Sequence, residues 1–321
     1  MVEKHAPTEP PRRRGRLRGE GLRSLLIEAG AALPAVLDPT SVLNVAVQLA
    51  VPRLGDLALV DLLGPRGLES GAIAGLCPRV TGGLERVRDR SPVDPASSHP
   101  VALAVRENRS VWVRDLPAYG LERIAQSEEH LAYIREQAYS AAVVVPLHGP
   151  SGKVVGAFSV LRFAGRLPFG PLEKELAEEL AKRTEVAYGN ALLYDQARSR
   201  LSLLESAFDL LECGVTVIDS RGVRVYANPA AAKLLGKEGA EELCGRVPSW
   251  LSGAGTGRKE DRDGGEPFPP LAVLAGRAQR LAGRVRCPRG DLYVQARALE
   301  RAEGRFVLCE LVPVGGAAGA I

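Results

Sequence analysis

The stretch AAVVVPLHGPSGKVVGAFSVLRF, residues 141–163, decides the fold of the first half of this chain. Two runs rich in β-branched residues, Ala141 to Leu147 and Val154 to Phe163, flank a short segment that contains Gly149 and Gly152. β-Branched residues favour strands, and a Gly/Pro/Ser turn between two such runs is typical of a hairpin. The sequence therefore predicts an antiparallel β-hairpin here.

The residues before this hairpin predict helices followed by further strands. Apolar residues recur at helical spacing from Leu22 to Leu37 and again from Thr40 to about Val51. The apolar run Asp56 to Leu63 ends in a Gly/Pro turn and predicts a hairpin with Leu68 to Ala74. We then predict an irregular segment from Pro78 to Val93, a short helix from Val101 to Glu107, a strand from Val111 to Arg114 and a helical segment from Glu122 to Gln137.

A long helix is predicted after the hairpin, because almost no helix breaker occurs between Pro171 and Leu211. Within it, apolar residues repeat in steps of three and four, which is the spacing of a coiled coil, with Arg198 as an interruption. These residues are Ala187, Ala191, Tyr194, Leu201, Leu204, Phe208 and Leu211. One small sheet cannot bury so long a stripe, so we expect Tyr194, Leu201, Leu204, Phe208 and Leu211 to pair with a second copy in a homodimer.

The apolar period changes to two after Cys213, which predicts a second sheet. Val215 to Ile218 and Val223 to Ala227 form the predicted hairpin, and Asn228 is placed to cap a helix that begins at Pro229. A Gly- and Pro-rich loop is predicted from Gly253 to Pro270. Three further predicted strands are Leu281 to Val285, Leu292 to Leu299 and Phe306 to Val312.

The order of elements in this second half resembles a PAS domain. The residues that carry the resemblance are Gly214-Val-Thr-Val-Ile-Asp219, Arg221-Gly222, Val225 to Ala231, Leu235-Gly236, Pro270-Leu271-Ala272 and Ala275-Gly276. PAS domains bind small molecules or partners on the inner face of their sheet. The resemblance implies such a pocket, and we expect Tyr226, Asn228 and Trp250 to contribute to it.

The preceding half, Leu22 to about Ala197, resembles a GAF domain. The residues that carry this resemblance are Pro92-Val93-Asp94, Val111-Trp112-Val113, Asp115-Leu116-Pro117, Ser140 to Leu147, Gly152 to Phe158, Phe169 and Gly189 to Tyr194. A ligand pocket is again implied, with His99 and Trp112 as candidate binding residues. His99 either contacts a ligand or haem there, or caps the loop beside Ser97, Ser98 and Pro100.

Composition fits two domains and excludes several classes of protein. The 321 residues carry a formal net charge of only +4, with arginines spread along the chain, which argues against a nucleic-acid binder. Five cysteines without a C-x-x-C pair argue against a disulfide framework and a zinc site. We find neither a signal sequence nor an apolar run that would span a membrane, so we expect a cytoplasmic protein.

For each cofactor known in the two resembled families, this sequence lacks a residue that the cofactor needs. Histidine-ligated haem in the PAS-like half is disfavoured, because His5, His99, His130 and His148 all precede that half. A flavin adduct needs a cysteine just after a Gly-Arg pair, whereas Cys244 comes before Gly245 and Arg246. A covalent bilin is disfavoured because Cys77 is followed by proline rather than histidine. The cofactor therefore stays unknown, and no metal site is predicted.

We predict an α+β protein with two antiparallel-sheet sensor domains, GAF-like and then PAS-like, joined by a long helix. The predicted divisions are a disordered basic leader (1–20), a GAF-like domain (21–197), a helical linker (198–212), a PAS-like domain (213–314) and a flexible tail (315–321). No P-loop, nucleophile elbow, zinc-protease motif or dinucleotide fingerprint occurs, so we expect no catalytic activity.

The expected function is a bacterial signalling module that binds a small ligand or protein and relays the signal through a dimeric helix to a separate effector. By the resemblance, that effector is a histidine kinase, a response regulator or an anti-sigma-type protein. Two alternatives stay open: the sensory part of a histidine kinase with a missing or degenerate output domain, and a transcriptional regulator that uses the basic arm. The first lacks a phosphoacceptor helix and an ATP lid after Ala197.

Overall fold

The hairpin predicted from residues 141–163 lies inside a five-stranded antiparallel sheet with the order β2-β1-β5-β4-β3. Its strands are β1 (Leu57–Gly64), β2 (Gly67–Gly75), β3 (Val111–Val113), β4 (Tyr139–His148) and β5 (Val154–Phe163). The computed structural model describes residues 24–246, 269–287 and 290–314. The predicted leader and tail, Trp250 and most of the predicted loop 253–270 lie outside these residues.

Both faces of this sheet are buried, because its strands are apolar at consecutive positions. In β1, Ala58 and Val60 pack into one hydrophobic cluster, whereas Leu57 and Leu59 pack into another. Successive strand residues point to opposite faces, so an uninterrupted apolar run supplies two cores. The sheet is therefore the middle layer of a three-layer unit.

Helices cover the two faces in different ways. One face carries α1 (24–32), α2 (Pro39–Ala50) and the first part of α8 (Pro171–Asp209), whose apolar residues share a cluster with Ala58 and Val60. The other face carries five further helices: α3 (Pro78–Arg90), α4 (Pro100–Glu107), α5 (Leu116–Tyr119), α6 (Leu121–Ile124) and α7 (Glu128–Gln137). A cavity lies between these five helices and the sheet.

Two predictions in this region are wrong. The segment expected to be irregular, Pro78 to Val93, contains helix α3, which begins with Pro78 and buries Leu84 and Val87. The apolar periodicity of this helix is weak in the sequence, because most of its residues are charged or polar and only one narrow face is apolar. The helix expected from Glu122 to Gln137 is instead two helices, because the Ser127 side chain accepts a hydrogen bond from the His130 amide and starts α7 anew.

The chain divides into two compact units between Arg198 and Ser199. The second unit has its own five-stranded antiparallel sheet, in the order β7-β6-β10-β9-β8. Its elements are β6 (Gly214–Ile218), β7 (Arg224–Ala227), α9 (Pro229–Leu234), α10 (Pro269–Leu274), β8 (Arg280–Cys287), β9 (Gly290–Arg301) and β10 (Gly304–Pro313). Here strand residues alternate: Leu292, Val294 and Ala296 are buried, whereas Tyr293 is exposed. This sheet therefore buries one face far more than the other.

These observations confirm the predicted class: an α+β chain with two antiparallel sheets and a long helix in the sequence between them. The long helix ends at Asp209, two residues before the predicted end. Its last turns expose large apolar side chains, with Leu201 58%, Leu204 59% and Phe208 36% accessible. Within the described residues, no helix is both long and apolar enough to span a membrane.

Candidate functional site

The cavity of the first unit lies between the sheet and helices α3 to α7. Its volume for the centres of water-sized spheres is about 60 Å³, several times the roughly 10–15 Å³ that one water needs. The apolar part of its wall comprises Leu57, Leu59, Leu84, Pro100, Val101, Leu116, Ile124, Ile134, Ala142, Val144 and Leu161. The polar part comprises Arg88, His99, His130, Tyr139 and Ser159. This combination of an apolar wall and a few polar groups is typical of a small-molecule site.

Arg88 brings a buried positive charge to the cavity. Helix α3 carries it, and its Nη2 atom donates to Oδ1 of Asp61 on β1, with both side chains at most 2% exposed. Burial raises the pKa of Asp61, and the charge of Arg88 opposes this rise. Arg88 Nε and Asp61 Oδ2 have no hydrogen-bond partner among the described residues. Separating these two side chains would leave an unpaired charge buried in the protein, which is costly. The ion pair therefore holds α3 against the sheet.

Two histidines lie side by side in the wall, with ring centroids 6.5 Å apart. His99 caps α4, since its Nδ1 accepts a hydrogen bond from the Val101 amide at 3.1 Å. His130 Nδ1 accepts from the Gln126 amide at 3.2 Å. Burial lowers the pKa of His130 to about 4, with the positive charge of Arg88 as a second cause. Burial, Arg88 and His130 lower the pKa of His99 well below its usual value. Both rings are therefore neutral at neutral pH.

Two hydroxyl groups complete the polar wall. Ser159 on β5 is 1% exposed and Tyr139 on β4 is 5% exposed. Neither Ser159 Oγ nor the Tyr139 hydroxyl makes a hydrogen bond within ordinary limits to a described residue. The Tyr133 hydroxyl, which neighbours that of Tyr139, donates its own proton to the Val80 carbonyl at 2.6 Å. Leaving a buried hydroxyl unpaired costs about 1–3 kcal/mol, so each of these groups requires a water molecule or a polar ligand as its partner.

Of the two residues predicted for the first pocket, His99 lines the cavity and Trp112 does not. His99 lines the cavity and also caps a helix, so both of its proposed roles meet in one side chain. Trp112 lies on β3 and packs against the cluster on the opposite face of the sheet. The guanidinium of Arg114 lies 5.5 Å from the Trp112 ring centroid. Trp112 is thus not part of the cavity wall.

Asn228 in the second unit is fully buried and joins three elements through its side-chain hydrogen bonds. Its Oδ1 accepts from the amides of Val215 and Ala231, and its Nδ2 donates to the carbonyls of Phe208 and Cys213. An amide side chain has two donors and two acceptor positions, and all of them are used. Asn228 therefore ties β6, α9 and the end of α8 together, with no hydrogen-bonding capacity left for a ligand.

Tyr226 lies beside the end of α8 rather than in the core of the second unit. Its ring centroid is 5.8 Å from that of Phe208, and its hydroxyl donates to Asp209 Oδ1 at 3.2 Å. Burial and the charge of Asp209 raise the pKa of Tyr226 to about 12. Tyr226 and Asn228 thus both contact the last turn of the long helix, whereas Trp250 lies outside the described residues.

A smaller cavity lies in the second unit between its sheet and α10. Its volume by the same measure is about 20 Å³, room for one or two waters. Thr216, Arg224, Leu292 and Cys309 are among the residues that line it. Burial raises the pKa of the Cys309 thiol to about 12. The first unit therefore holds the larger of the two cavities.

Sequence reasoning did not identify Arg88, His130, Tyr139 or Ser159 as site residues. Two signals were available in the sequence. Asp61 interrupts the apolar strand LALVDLLG, and Ser159 interrupts the apolar strand VVGAFSVLRF. A polar residue within a fully buried strand needs a partner, and this requirement marks it as a candidate. Among the described residues, no three His, Cys, Asp or Glu side chains are placed to hold a metal ion.

Comparison with known families assigns the first unit. Residues 38–188 match the family model of the GAF domain, so this part of the chain forms a GAF domain. Members of this family are typically sensory modules that bind ligands. The matched range contains the whole cavity wall, from Leu57 to Leu161. The second unit is a further sheet-rich domain outside the matched range.

Several solved structures are similar to this chain at low identity. The E. coli DhaR(N)-DhaL complex matches at 15% identity and a TM-score of 0.45, over 97% of this chain and 92% of that one. The GAF domain of an Acinetobacter phosphoenolpyruvate-protein phosphotransferase matches at 17% identity and a TM-score of 0.41, over 55% of this chain and 95% of that one. The free methionine-R-sulfoxide reductase of Neisseria meningitidis matches at 17% identity and a TM-score of 0.40, over 61% of this chain and 99% of that one. None of the curated proteins matches this chain. The family assignment rests on the family model.

Proposed function

We propose that this chain is a sensory module whose signal is a small molecule bound in the cavity of the GAF domain. The observation that carries the proposal is a cavity with an apolar wall and buried polar groups that lack partners. A dry packing defect would be lined by apolar atoms alone, whereas unpaired hydroxyl groups favour an occupant with polar atoms. Binding would therefore order the helices α3 to α7 against the sheet.

In the proposed relay, the long helix passes the change to a separate effector. Helix α8 packs in the core of the GAF domain through Leu176, Leu180 and Ala187, and its apolar stripe continues past Leu201. A seam at coiled-coil spacing suits a second copy of the same helix, so we propose a homodimer. The second unit, which we propose to be PAS-like, would receive the signal through the contacts of Asn228 and Tyr226. The effector would be a histidine kinase, a response regulator or an anti-sigma-type protein.

Filling the cavity tests the proposal directly. Ala142 on β4 faces the cavity and is 3% exposed, so Ala142→Leu places three further carbon atoms in that space. We expect the wild-type chain to show a rise in the melting temperature of the GAF domain with a binding compound from a panel of small organic acids, amides and amines. The Ala142→Leu variant should lose this rise, because the occupied space excludes the compound.

The matched control is Ala164→Leu, an equal change at an exposed position just after β5. This variant should keep the wild-type response. Native mass spectrometry of the purified full chain gives a second measurement, since a retained compound adds its mass to wild type and not to Ala142→Leu. Equal responses of Ala142→Leu and wild type would contradict binding in the cavity.

A further inference from the structure

The polar groups that face the cavity are donors, and this property restricts the ligand. Five polar side chains line the wall, namely Arg88, His99, His130, Tyr139 and Ser159, and no aspartate or glutamate is among the lining residues. An arginine only donates, whereas a neutral histidine donates from one ring nitrogen and accepts at the other. The state of the two histidines therefore decides what the wall offers to a ligand.

Backbone contacts determine the tautomer of both histidines. The Nδ1 atoms of His99 and His130 each accept a hydrogen bond from a backbone amide, so the proton of each neutral ring is on Nε2. Neither Nε2 atom has a hydrogen-bond partner among the residues that the structure describes. Each ring therefore offers an N–H group and no free lone pair.

The remaining polar groups add further donors. Arg88 Nε and Ser159 Oγ are buried without a partner in the described part of the chain, and the Tyr139 hydroxyl makes no hydrogen bond within ordinary limits there, although the Tyr133 hydroxyl lies nearby. Among the described residues that line the cavity, the only side-chain acceptors are the two hydroxyl oxygens, against five side chains that each have a proton to donate. An acceptor-rich ligand satisfies this excess, whereas an ammonium group finds neither an anion nor enough acceptors.

Arg88 also brings a positive charge to the cavity wall. Arg88 lines the cavity, whereas its partner Asp61 is not among the lining residues. The positive charge of Arg88 lowers the pKa of both His99 and His130, so its field extends across both rings. An anionic group is stabilised at such a position, and burial strengthens the interaction.

We infer that the cavity binds a small carboxylate with an apolar body, its carboxylate oxygens accepting from Arg88 Nε, the histidine Nε2 atoms and the hydroxyls of Ser159 and Tyr139. This inference rests on the proposed ligand-binding function and adds the chemical class. Branched aliphatic and aromatic carboxylates fit an apolar wall built from leucine, isoleucine and valine side chains. A large or multiply charged acid does not fit a cavity of this volume.

Matched sets of ligands test the inference on the full-length chain. Isobutyrate, isobutyramide and isobutylamine share one skeleton, and benzoate, benzamide and benzylamine share another. We expect isothermal titration calorimetry to show binding of at least one carboxylate, about tenfold tighter than its amide, because hydrogen bonds to a charged group exceed those to a neutral one by about 1 kcal/mol or more. Both amines should fail to bind at millimolar concentration.

Serine variants supply the structural test. Ser159→Ala removes one donor from the wall and should weaken the carboxylate about fivefold to tenfold, with no loss of thermal stability in the absence of ligand. Ser140→Ala is the matched control, because the Ser140 hydroxyl donates to the carbonyl groups of Arg162 and Phe163 outside the cavity wall. That variant should keep the wild-type affinity.

The outcomes separate this inference from the function on which it rests. Binding of an amine, or of an amide as tightly as its acid, would overturn the carboxylate class but leave a ligand cavity that Ala142→Leu still blocks. Carboxylate binding that Ala142→Leu and Ser159→Ala leave unchanged would overturn both, because the ligand would then bind elsewhere. Absence of binding by both carboxylates overturns the inference.

Discussion

In the two cavity histidines, a backbone contact at one ring nitrogen determines the protonation of the other ring nitrogen. Each ring uses Nδ1 to satisfy a backbone amide, which is a structural task of helix and turn formation. As a consequence the opposite nitrogen, Nε2, carries the proton of the neutral ring. A histidine that caps a helix and a histidine that binds a ligand are therefore compatible descriptions of the same residue.

Burial of His130 predicts a loss of stability in acid. The pKa of His130 is lowered to about 4 in the folded chain, against about 6.5 in the unfolded chain. The unfolded state therefore binds the proton first, so the contribution of His130 is complete above about pH 6.5 and falls as the pH approaches 4. The difference corresponds to roughly 3 kcal/mol in the free energy of unfolding. Arg88 and His99 are the charged and titratable groups that face His130.

The variant His130→Asn isolates this effect. Its side-chain oxygen can accept from the Gln126 amide but does not titrate. Urea unfolding at a series of pH values should show that wild type loses its advantage over the variant between pH 6.5 and 4, with a constant difference above pH 7. The carboxylates titrate in both chains, so they cancel in this comparison. The pKa of His99 also loses the contribution of His130 in the variant, so His99 adds to the measured difference. Two parallel curves across the whole range would contradict a buried, neutral His130.

At the scale of elements, the long helix combines two environments. Its first turns bury Leu176, Leu180 and Ala187 in the GAF core, whereas Leu201 and Leu204 further along are more than half exposed. Large apolar side chains at coiled-coil spacing are costly to leave in water, and pairing with a second helix removes that cost. The exposed part of the stripe is therefore the proposed dimer seam.

Substitution of Leu204 by arginine tests the seam. Leu204→Arg would place two charges opposite each other and remove two buried leucines, each worth about 1.5–3 kcal/mol. We expect dimer dissociation to become at least about a hundredfold more favourable, measured by sedimentation velocity over a range of concentrations. The same variant should keep its GAF-domain melting temperature, because Leu204 lies outside that core.

Leu203→Arg is the matched control for this experiment. Leu203 is the adjacent residue and is 71% exposed, but it does not share the three- and four-residue spacing of the seam. It should remain a dimer at concentrations where Leu204→Arg is a monomer. Dissociation by both variants, or by neither, would remove the basis for a paired helix and with it the relay.

At the scale of the whole molecule, two separate cores predict two unfolding events. The GAF domain has clusters on both faces of its sheet, and the second unit has a cluster of its own. Differential scanning calorimetry of the full chain should therefore resolve two transitions. Isobutyrate or benzoate, whichever binds, should raise only the transition of the GAF domain, since a ligand stabilises the unit that binds it.

Tryptophan fluorescence identifies the transition. The chain has two tryptophans, so Trp250→Phe leaves Trp112 as the only reporter, and Trp112 lies on β3 of the GAF domain. The melting curve of this variant should follow the transition that the ligand shifts. A single transition, with fluorescence and heat absorption moving together, would show instead that the two units unfold as one.

The sequence by itself determined the secondary structure of most elements and the class of the fold. The hairpin of β4 and β5, the cap at Asn228 and the helix from Pro171 could be predicted because each depends on residues close together in the chain. Periodicity, turn residues and caps act over a few residues, and the sequence displays them directly. The charged helix α3 escaped prediction because its apolar face is narrow.

Only the tertiary structure decided which residues meet. Arg88, His99, His130, Tyr139 and Ser159 come from α3, the start of α4, α7, β4 and β5, and they share a wall because helices and strands distant in sequence pack together. The same packing leaves Trp112 on the opposite face and uses every hydrogen bond of Asn228 within the protein. Local patterns specify which way a chain turns, whereas a binding site depends on distances through space that no local pattern encodes.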